Sequence, residues 1–375
     1  MKTNFGAVEI ARGEVAHRLI ADKIREQILS GEIAPGFEMP STAHMAEIWK
    51  TSMSTMHIAL KNLVKEGLLE RRHGSGTYVR ERPRSLDRVG IYYGDPCIWT
   101  DEESAFYRSL YGILEKKLGE ANIEFSIFVD RRHAKKQNVV LPSLRRAVDT
   151  GEIQGLIVPM ASPLNLPVLL KLPVPVGAMT GAIGISNKVG MDDKKFFRNI
   201  LARLKSKGCR TVGLINSVNV DMRSVYSSEA EFFTDDFRRE VAAQGMITKE
   251  EWLRAPEDFV KERALFGYNE FHQLWRQAEH PDAVIVYPDM VVKGVILAAL
   301  ELGVHQSKEV TFCFHRNARV SIMCPFPALW AISDEEKIAE ALIGLVRTQH
   351  AGGKVSPIRV PFEFKSTQKT LEILA

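Results

Sequence analysis

The sequence predicts a multidomain chain: an N-terminal winged helix-turn-helix (α+β, mostly α), followed by a two-lobed α/β portion built on parallel, doubly wound sheets. Three observations carry this reading. Residues 15–79 hold three short amphipathic helices and then a hairpin. From Val89 the chain alternates apolar, strand-like runs with stretches of helical periodicity, and the series restarts after Met191. Basic residues gather around the third helix and the hairpin: residues 50–84 carry eight Lys and Arg against three Glu, although residues 1–80 as a whole are only +2.

The first helix spans Val15 to Leu29, with Leu19, Ile20, Ile24, Ile28 and Leu29 on one side. It stops at Ser30-Gly31, and Pro35-Gly36 marks a turn. Ser41 is a good N-cap for a second helix, Ser41 to Trp49. The third, within Thr51 to Gly67, places Met56, Ala59, Leu60, Leu63 and Val64 at i, i+3, i+4, i+7 and i+8, which is one apolar face. Its other side carries Ser54, His57, Ile58, Lys61 and Lys65. Ser52 caps its start by accepting from the Thr55 N–H, and Gly67 suits its end. Leu68 to Val79 reads as a hairpin whose Gly74-Ser75-Gly76 turn allows positive φ and close approach to a sugar-phosphate strand.

In this arrangement the last helix enters a DNA major groove and flanking cations hold phosphates. The candidate DNA contacts are Ser41, Ser52, Met53, Ser54, Thr55, His57, Lys61, Arg71, Arg72, Gly74 and Gly76. The winged helix is placed at residues 1–80 and a charged linker at 81–88. A ligand-binding and dimerisation portion follows at 89–375, with lobes at about 89–182 and 183–330 and a C-terminal segment crossing back.

In the second part VGIYY, IEFSIFV, QGLIVPM and VPVGAM read as strands, with helices at Ser104 to Glu120 and Leu141 to Thr150. After Met191 the strands are RTVGLIN, DAVIVY and VTFCF. The helices there are Asp193 to Lys207, Glu231 to Gln244, Arg263 to Glu279, Val291 to Leu302 and Glu335 to His350, and IRVPFEF closes the chain. In open parallel sheets ligands bind beyond the carboxyl ends of strands. That rule selects Asp95, Trp99, Ser162, Ser217, Asp289, His315 and Arg316, with Trp330 on the crossing segment before the last long helix. Asp289 is either a ligand acceptor or the N-cap of its helix. Trp99 and Trp330 offer flat faces to a sugar ring or pack in a core or dimer surface. Arg316 binds an anionic group or forms a surface ion pair.

Composition narrows the alternatives. The chain has 375 residues, 45% hydrophobic and 26% charged, with a net charge of +4. This is ordinary for two or three globular domains. Four scattered cysteines suit a reduced cytoplasm and suggest neither disulfides nor a zinc site. No apolar run reaches membrane-spanning length and the N-terminus has no signal-like core, so a cytoplasmic chain is expected. G-x-S-x-G, a P-loop, H-E-x-x-H and a dinucleotide G-x-G-x-x-G are all missing, so neither an enzyme nor a bound cofactor or metal is expected.

Residues 15–79 resemble the DNA-binding domain of the GntR family of bacterial transcription regulators. The resemblance rests on Ile28, Gly31, Ile33, Pro35, Gly36, Met39, Pro40 and Ser41. It continues through Ala59-Leu60, Leu63, Glu66-Gly67-Leu68-Leu69 and Gly74 to Val79. Three positions that hold DNA-contacting arginines in the family are Ala43, Met53 and His57 here. Bidentate arginine contacts to guanine are therefore missing, which implies an operator less dependent on G·C pairs.

Residues 88–365 more loosely resemble the effector domain of LacI-type repressors, which is periplasmic-binding-protein-like. Pro281 to Asp289, Gly294, Ala298 to Leu300 and Gly303-Val304 carry this likeness, together with Asp192, Phe237 and Gly245. In those repressors the residue matching Asp289 bonds a ligand hydroxyl. Glu231 falls near a position where many of them hold a ligand-gripping arginine. The combination looks like the arabinose-repressor architecture. It implies a homodimeric repressor reading a near-palindromic double-stranded DNA operator, with a small-molecule effector, a sugar or sugar derivative, bound between the lobes. Activation, or DNA binding without an effector, is the alternative, and an enzyme on a doubly wound fold a distant one.

Overall fold

The computed structural model describes residues 16–72, 74–80, 86–94, 105–133, 136–160, 164–181, 184–217, 233–256, 260, 262–306 and 309–367. The N-terminal part contains α1 (Ala16–Leu29), β1 (Glu38–Met39), α2 (Thr42–Ile48), α3 (Met53–Lys65), β2 (Leu69–Arg72) and β3 (Gly76–Val79). Its three strands lie in the antiparallel order β1-β3-β2. The apolar face expected of α3 is the one it buries: Met56, Ala59, Leu60 and Leu63 are at most 1% exposed, against Ile20, Ile24, Met45 and Trp49. Val64 is half-buried beside them. Each fully buried large apolar side chain contributes about 1.5–3 kcal/mol, so this face decides which side of α3 is left to solvent. The Arg25 guanidinium bonds both Glu66 carboxylate oxygens, at 2.7 and 2.8 Å, and ties α1 to the end of α3. The short strand β1 is not visible in the sequence. Two residues show no periodicity, and pairing with Thr77 and Tyr78 defines it.

The following part contains β4 (Arg88–Tyr93), α4 (Ala105–Glu120), β5 (Glu124–Val129), α5 (Pro142–Asp149), β6 (Gly155–Met160), α6 (Leu166–Leu169) and β7 (Val176–Met179). Then come β8 (Lys188–Met191), α7 (Asp193–Ser206), β9 (Val212–Asn216), α8 (Phe233–Ala243), β10 (Leu253–Arg254), α9 (Arg263–Trp275), β11 (Ala283–Tyr287) and α10 (Asp289–Glu301). The chain continues with β12 (Thr311–Asn317), β13 (Ala328–Ser333), α11 (Glu335–His350), β14 (Ile358–Val360) and β15 (Glu363–Thr367).

The chain divides into two units, each assembled from three stretches. The first takes Met1–Asp95, Glu115–Ala178 and Leu342–Ser356. The second takes Pro96–Leu114, Met179–Ala341 and Pro357–Ala375. In the first, β7-β6-β4-β5 are parallel neighbours. A Cβ on Gly155 would lie 2.4 Å from Val346 Cγ1, and one on Gly177 2.8 Å from the Leu342 carbonyl oxygen, so α11 lies directly on these strands.

In the second unit the order is β10-β9-β11-β12-β13-β15, parallel except for β15. Alternate residues of each strand feed opposite faces, as the two-residue period of a strand requires. Val284, Val286, Phe312, Phe314 and Trp330 pack under α9 and α10. Ala283, Ile285, Cys313, Leu329 and Ala331 pack under α7 and α8. At the α9–α10 crossing a Cβ on Gly294 would sit 1.7 Å from the Ala264 carbonyl oxygen. Only glycine fits there.

Four expectations need correction. Trp330 lies in strand β13, not on a crossing segment: ALWAIS is buried throughout and paired on both sides, so it shows no alternation. IRVPFEF forms two strands, broken at Pro361-Phe362, where proline has no N–H to donate. The helix after DAVIVY begins at Asp289 rather than Val291, and α9 ends at Trp275 rather than Glu279. No helix of the described residues is long and apolar enough to cross a membrane.

Candidate DNA-reading face and effector site

The start of α3 is built as its sequence indicates. Ser52 Oγ accepts from the Thr55 N–H at 3.1 Å and contacts Thr55 Oγ1 at 2.8 Å. Ser41 Oγ caps α2 by accepting from the His44 N–H at 3.2 Å. Gly67, just past the C-cap Glu66, has φ +72°, the left-handed conformation that closes a helix. With its apolar side buried, α3 leaves Met53, Ser54, His57, Ile58 and Lys61 exposed, and Thr55 is partly exposed. Ala43 on α2 is also exposed.

The wing pairs Leu69 with Val79 and Arg72 with Gly76. Gly74 (φ +71°) and Gly76 (φ +133°) occupy conformations that L side chains rarely adopt. The two wing arginines differ. Arg72 Nε donates to Glu70 at 2.7 Å, and its guanidinium lies 4.5 Å from the Tyr78 ring centroid. Arg71 and Lys61 are exposed and make no ion pair among the described residues. Arg72 thus braces the hairpin, while Arg71 and Lys61 are left to solvent.

The second unit gathers polar groups at the carboxyl ends of its strands. Four residues form a closed hydrogen-bond ring. The Asp289 N–H donates to His315 Nδ1 at 3.0 Å. His315 Nε2 lies 3.1 Å from Ser333 Oγ. The Ser333 hydroxyl donates to Asn317 Oδ1. Asn317 Nδ2 donates to Asp289 Oδ2 at 2.9 Å. Because Nδ1 accepts, the imidazole proton sits on Nε2, and every donor in the ring points the same way round. All four residues are buried. Burial and the nearby Arg316 push His315 down to about 3, so it is neutral at physiological pH. Burial raises the Asp289 carboxyl above its ordinary value, against the opposing hydrogen bonds from Asn317 and the Met290 amide.

The same unit holds further buried polar groups, some with an atom lacking a hydrogen-bond partner among the described residues. Ser217 Oγ is buried with no hydrogen-bond partner among the described residues, while its N–H donates to the Tyr287 carbonyl at 3.2 Å. Asp193, the first residue of α7, has an enclosed Oδ1 that accepts no hydrogen bond there. Burial, then the charge of Asp236, push its carboxyl up to about 7, against the pull of Arg359. Buried Glu335 accepts from the Ala318 and Arg319 N–H groups and from Ser109 Oγ. Acceptors in this setting suit a ligand rich in hydroxyl donors.

Ser217, Asp289 and His315 are thus at strand ends in one unit. His315 has both ring nitrogens engaged in the ring, so it positions Asp289 and does not itself reach outward. Trp330 takes the core alternative: it is 1% exposed and packs on Phe314 with ring centroids 5.4 Å apart, so it offers no face to a ligand. Arg316 turns to the Ala318 carbonyl at 3.1 Å. Asp95, Trp99, Ser162 and Glu231 lie outside the described residues. Asn317 and Asp193 were not selected from sequence. Asn317 falls three residues beyond the apolar run VTFCF, and Asp193 reads as an ordinary helix start.

A winged helix-turn-helix followed by α/β units that share the fold of LacI-family regulators is the arrangement of this chain. Residues 17–79 match the family described as "Bacterial regulatory proteins, gntR family", and this segment is a GntR-type DNA-binding domain. Over 71 residues the chain is 42% identical to the mannosyl-D-glycerate transport/metabolism system repressor MngR of Escherichia coli, covering 19% of this chain and 30% of that one. The first curated relatives it matches are spanned over only 20–33% of their length. Among solved structures, a putative transcriptional regulator from Yersinia pestis superposes with a TM-score of 0.59 at 14% identity, covering 76% of this chain and 99% of the other. The complex of the transcriptional regulator CelR with cellobiose gives 0.56 at 14%, covering 88% and 99%. These likenesses describe regulators, not enzymes.

Proposed function

We propose that this chain is a sequence-specific, DNA-binding transcription regulator, a repressor whose grip on DNA is controlled by a small-molecule effector of the sugar class. One observation carries the reading: α3 buries its apolar face and turns Met53, Ser54, His57 and Lys61 to solvent beside a glycine-turned wing, within a chain that also holds a LacI-type α/β portion. Ser41 and Ser52 cap their helices, and Thr55 holds the Ser52 hydroxyl. Lys61 and Arg71 hold phosphates, Arg72 braces the wing, and Gly74 and Gly76 let its backbone approach a strand. Asp289 and Ser217 supply acceptors for effector hydroxyls, with His315 setting the orientation of Asp289. The cellobiose complex of CelR supports a carbohydrate ligand.

The working form is a cytoplasmic homodimer on a near-palindromic operator, because two-fold protein symmetry calls for two-fold DNA symmetry. The effector shifts DNA affinity only by its preference for one of two arrangements of the protein. Selection of bound fragments from the source genome, followed by titration of sugars against the protein–fragment complex, tests this. The expected result is a discrete set of upstream fragments and at least one sugar that lowers affinity. Recovery of fragments without sequence preference would overturn the reading.

A further inference from the structure

We propose that the winged helix reads thymine 5-methyl groups through Met53 and Ile58. The inference rests on the reading of α3 as the groove-entering helix and deepens it. Met53 is 60% and Ile58 41% exposed, and they are the two large apolar side chains left exposed in the described part of the winged helix. Neither serves the fold: the core is closed by the opposite face of α3, with Met56, Ala59, Leu60 and Leu63 nearly inaccessible. Five residues apart on the helix, they lie about 140° apart around its axis and about 7.5 Å along it. That span matches about two base steps at about 3.4 Å each. Between them the exposed arc carries Ser54, His57 and Lys61.

The major-groove edges of the bases make the assignment. Guanine is read by the arginine fork or by a lysine and adenine by a side-chain amide, whereas thymine alone presents a methyl group, which apolar contact reads. Met53, Ser54, His57, Ile58 and Lys61 include no arginine, asparagine or glutamine. A duplex is the partner that the charge around this face fits. Lys61 and Arg71 are exposed and make no ion pair among the described residues, and two neighbouring acids are paired, Glu66 with Arg25 and Glu70 with Arg72, while Glu38 lies beside Gly76 on the wing. Two apolar contacts set among free cations suit a groove whose walls are phosphate and whose floor carries methyls.

The test uses the full chain and a duplex selected by it from a random pool, in which thymines of each half-site are replaced singly by deoxyuridine. This removes the methyl and keeps every hydrogen-bonding group. The expected loss is about four-fold in affinity at the contacted positions, the effect of one buried methyl, and no loss elsewhere. In Met53→Ala and Ile58→Ala the loss at one position each should disappear, because the partner of that methyl is gone. Selected duplexes without thymine in the half-site would overturn the proposal and leave the regulator reading intact. So would uracil duplexes bound as tightly as thymine ones, or a penalty unchanged in both variants. Failure to select any duplex would overturn both.

Discussion

The Asp289 carboxylate accepts from Asn317 Nδ2 at 2.9 Å, and the two residues belong to a ring that returns through Ser333 and His315 to the Asp289 amide. The ring fixes Asp289 by contacts from His315 and Asn317 on β12, which Ser333 on β13 holds in turn. Asn317→Ala would leave a buried hydroxyl and a buried carboxylate without this partner. The expected cost is about 1–3 kcal/mol of stability, read by denaturant unfolding, with a larger proportional loss in effector affinity read by calorimetry. Unchanged effector affinity in a folded Asn317→Ala protein would remove Asp289 from the ligand site.

Two buried groups set opposing pH dependences. His315 titrates near 3 in the fold against 6.5 when free, so the unfolded chain binds a proton the native one refuses. Its contribution is present above pH 6.5 and is lost as pH falls towards 3, by about 1.4 kcal/mol per unit. Asp193 is raised from 3.8 to about 7, so its contribution is present below pH 3.8 and is lost as pH rises to 7. Between about pH 4 and 6.5 the two act against each other. Asp193→Asn should make stability rise more steeply with pH, and should raise the melting temperature at pH 8 by at least about 2 °C. His315→Gln should tilt the curve the other way. Parallel unfolding profiles of all three proteins from pH 4.5 to 8 would contradict the assignment.

Trp330 is a core residue by its packing on Phe314. Trp330→Ala should cost about 3–5 kcal/mol. Trp330→Phe, which keeps an aromatic ring in the core, should stay folded and bind effector within a few-fold of the parent by calorimetry. A selective loss of effector binding in the folded phenylalanine variant would return Trp330 to the ligand site.

The wing arginines should separate in salt titrations. In the proposed complex Lys61→Ala and Arg71→Ala would each remove one phosphate contact, so each should lower the slope of log affinity against log salt by about 0.9 without altering sequence preference. Arg72→Ala removes the brace between Glu70 and Tyr78. It should lower the melting temperature of the winged helix more than it changes the salt slope. Equal slope changes in all three would show Arg72 on the phosphates as well.

Much of the winged helix was legible because its signals are local. The Ser52 cap, the spacing of Met56, Ala59, Leu60 and Leu63, and the glycines of the wing each act within a few residues. The parallel strands of the second part were legible as apolar runs, but β13 was not: with both faces buried it has no alternation to read. The ring around Asp289 was only half visible. Asp289 and His315 are 26 residues apart in sequence, and their bond depends on β11 and β12 lying side by side. Trp330 was misplaced for the same reason, since which face of a buried strand a tryptophan takes is set by neighbouring strands.

The most direct test is the affinity of the full chain for a genome-selected duplex and for its scrambled counterpart, at 150 mM salt, with and without the sugar that the screen returns. The account predicts at least about 10³-fold preference for the selected duplex, and a fall in that affinity when the sugar is added. Equal binding of the two duplexes, or a sugar that binds the protein and leaves its DNA affinity unchanged, would contradict it.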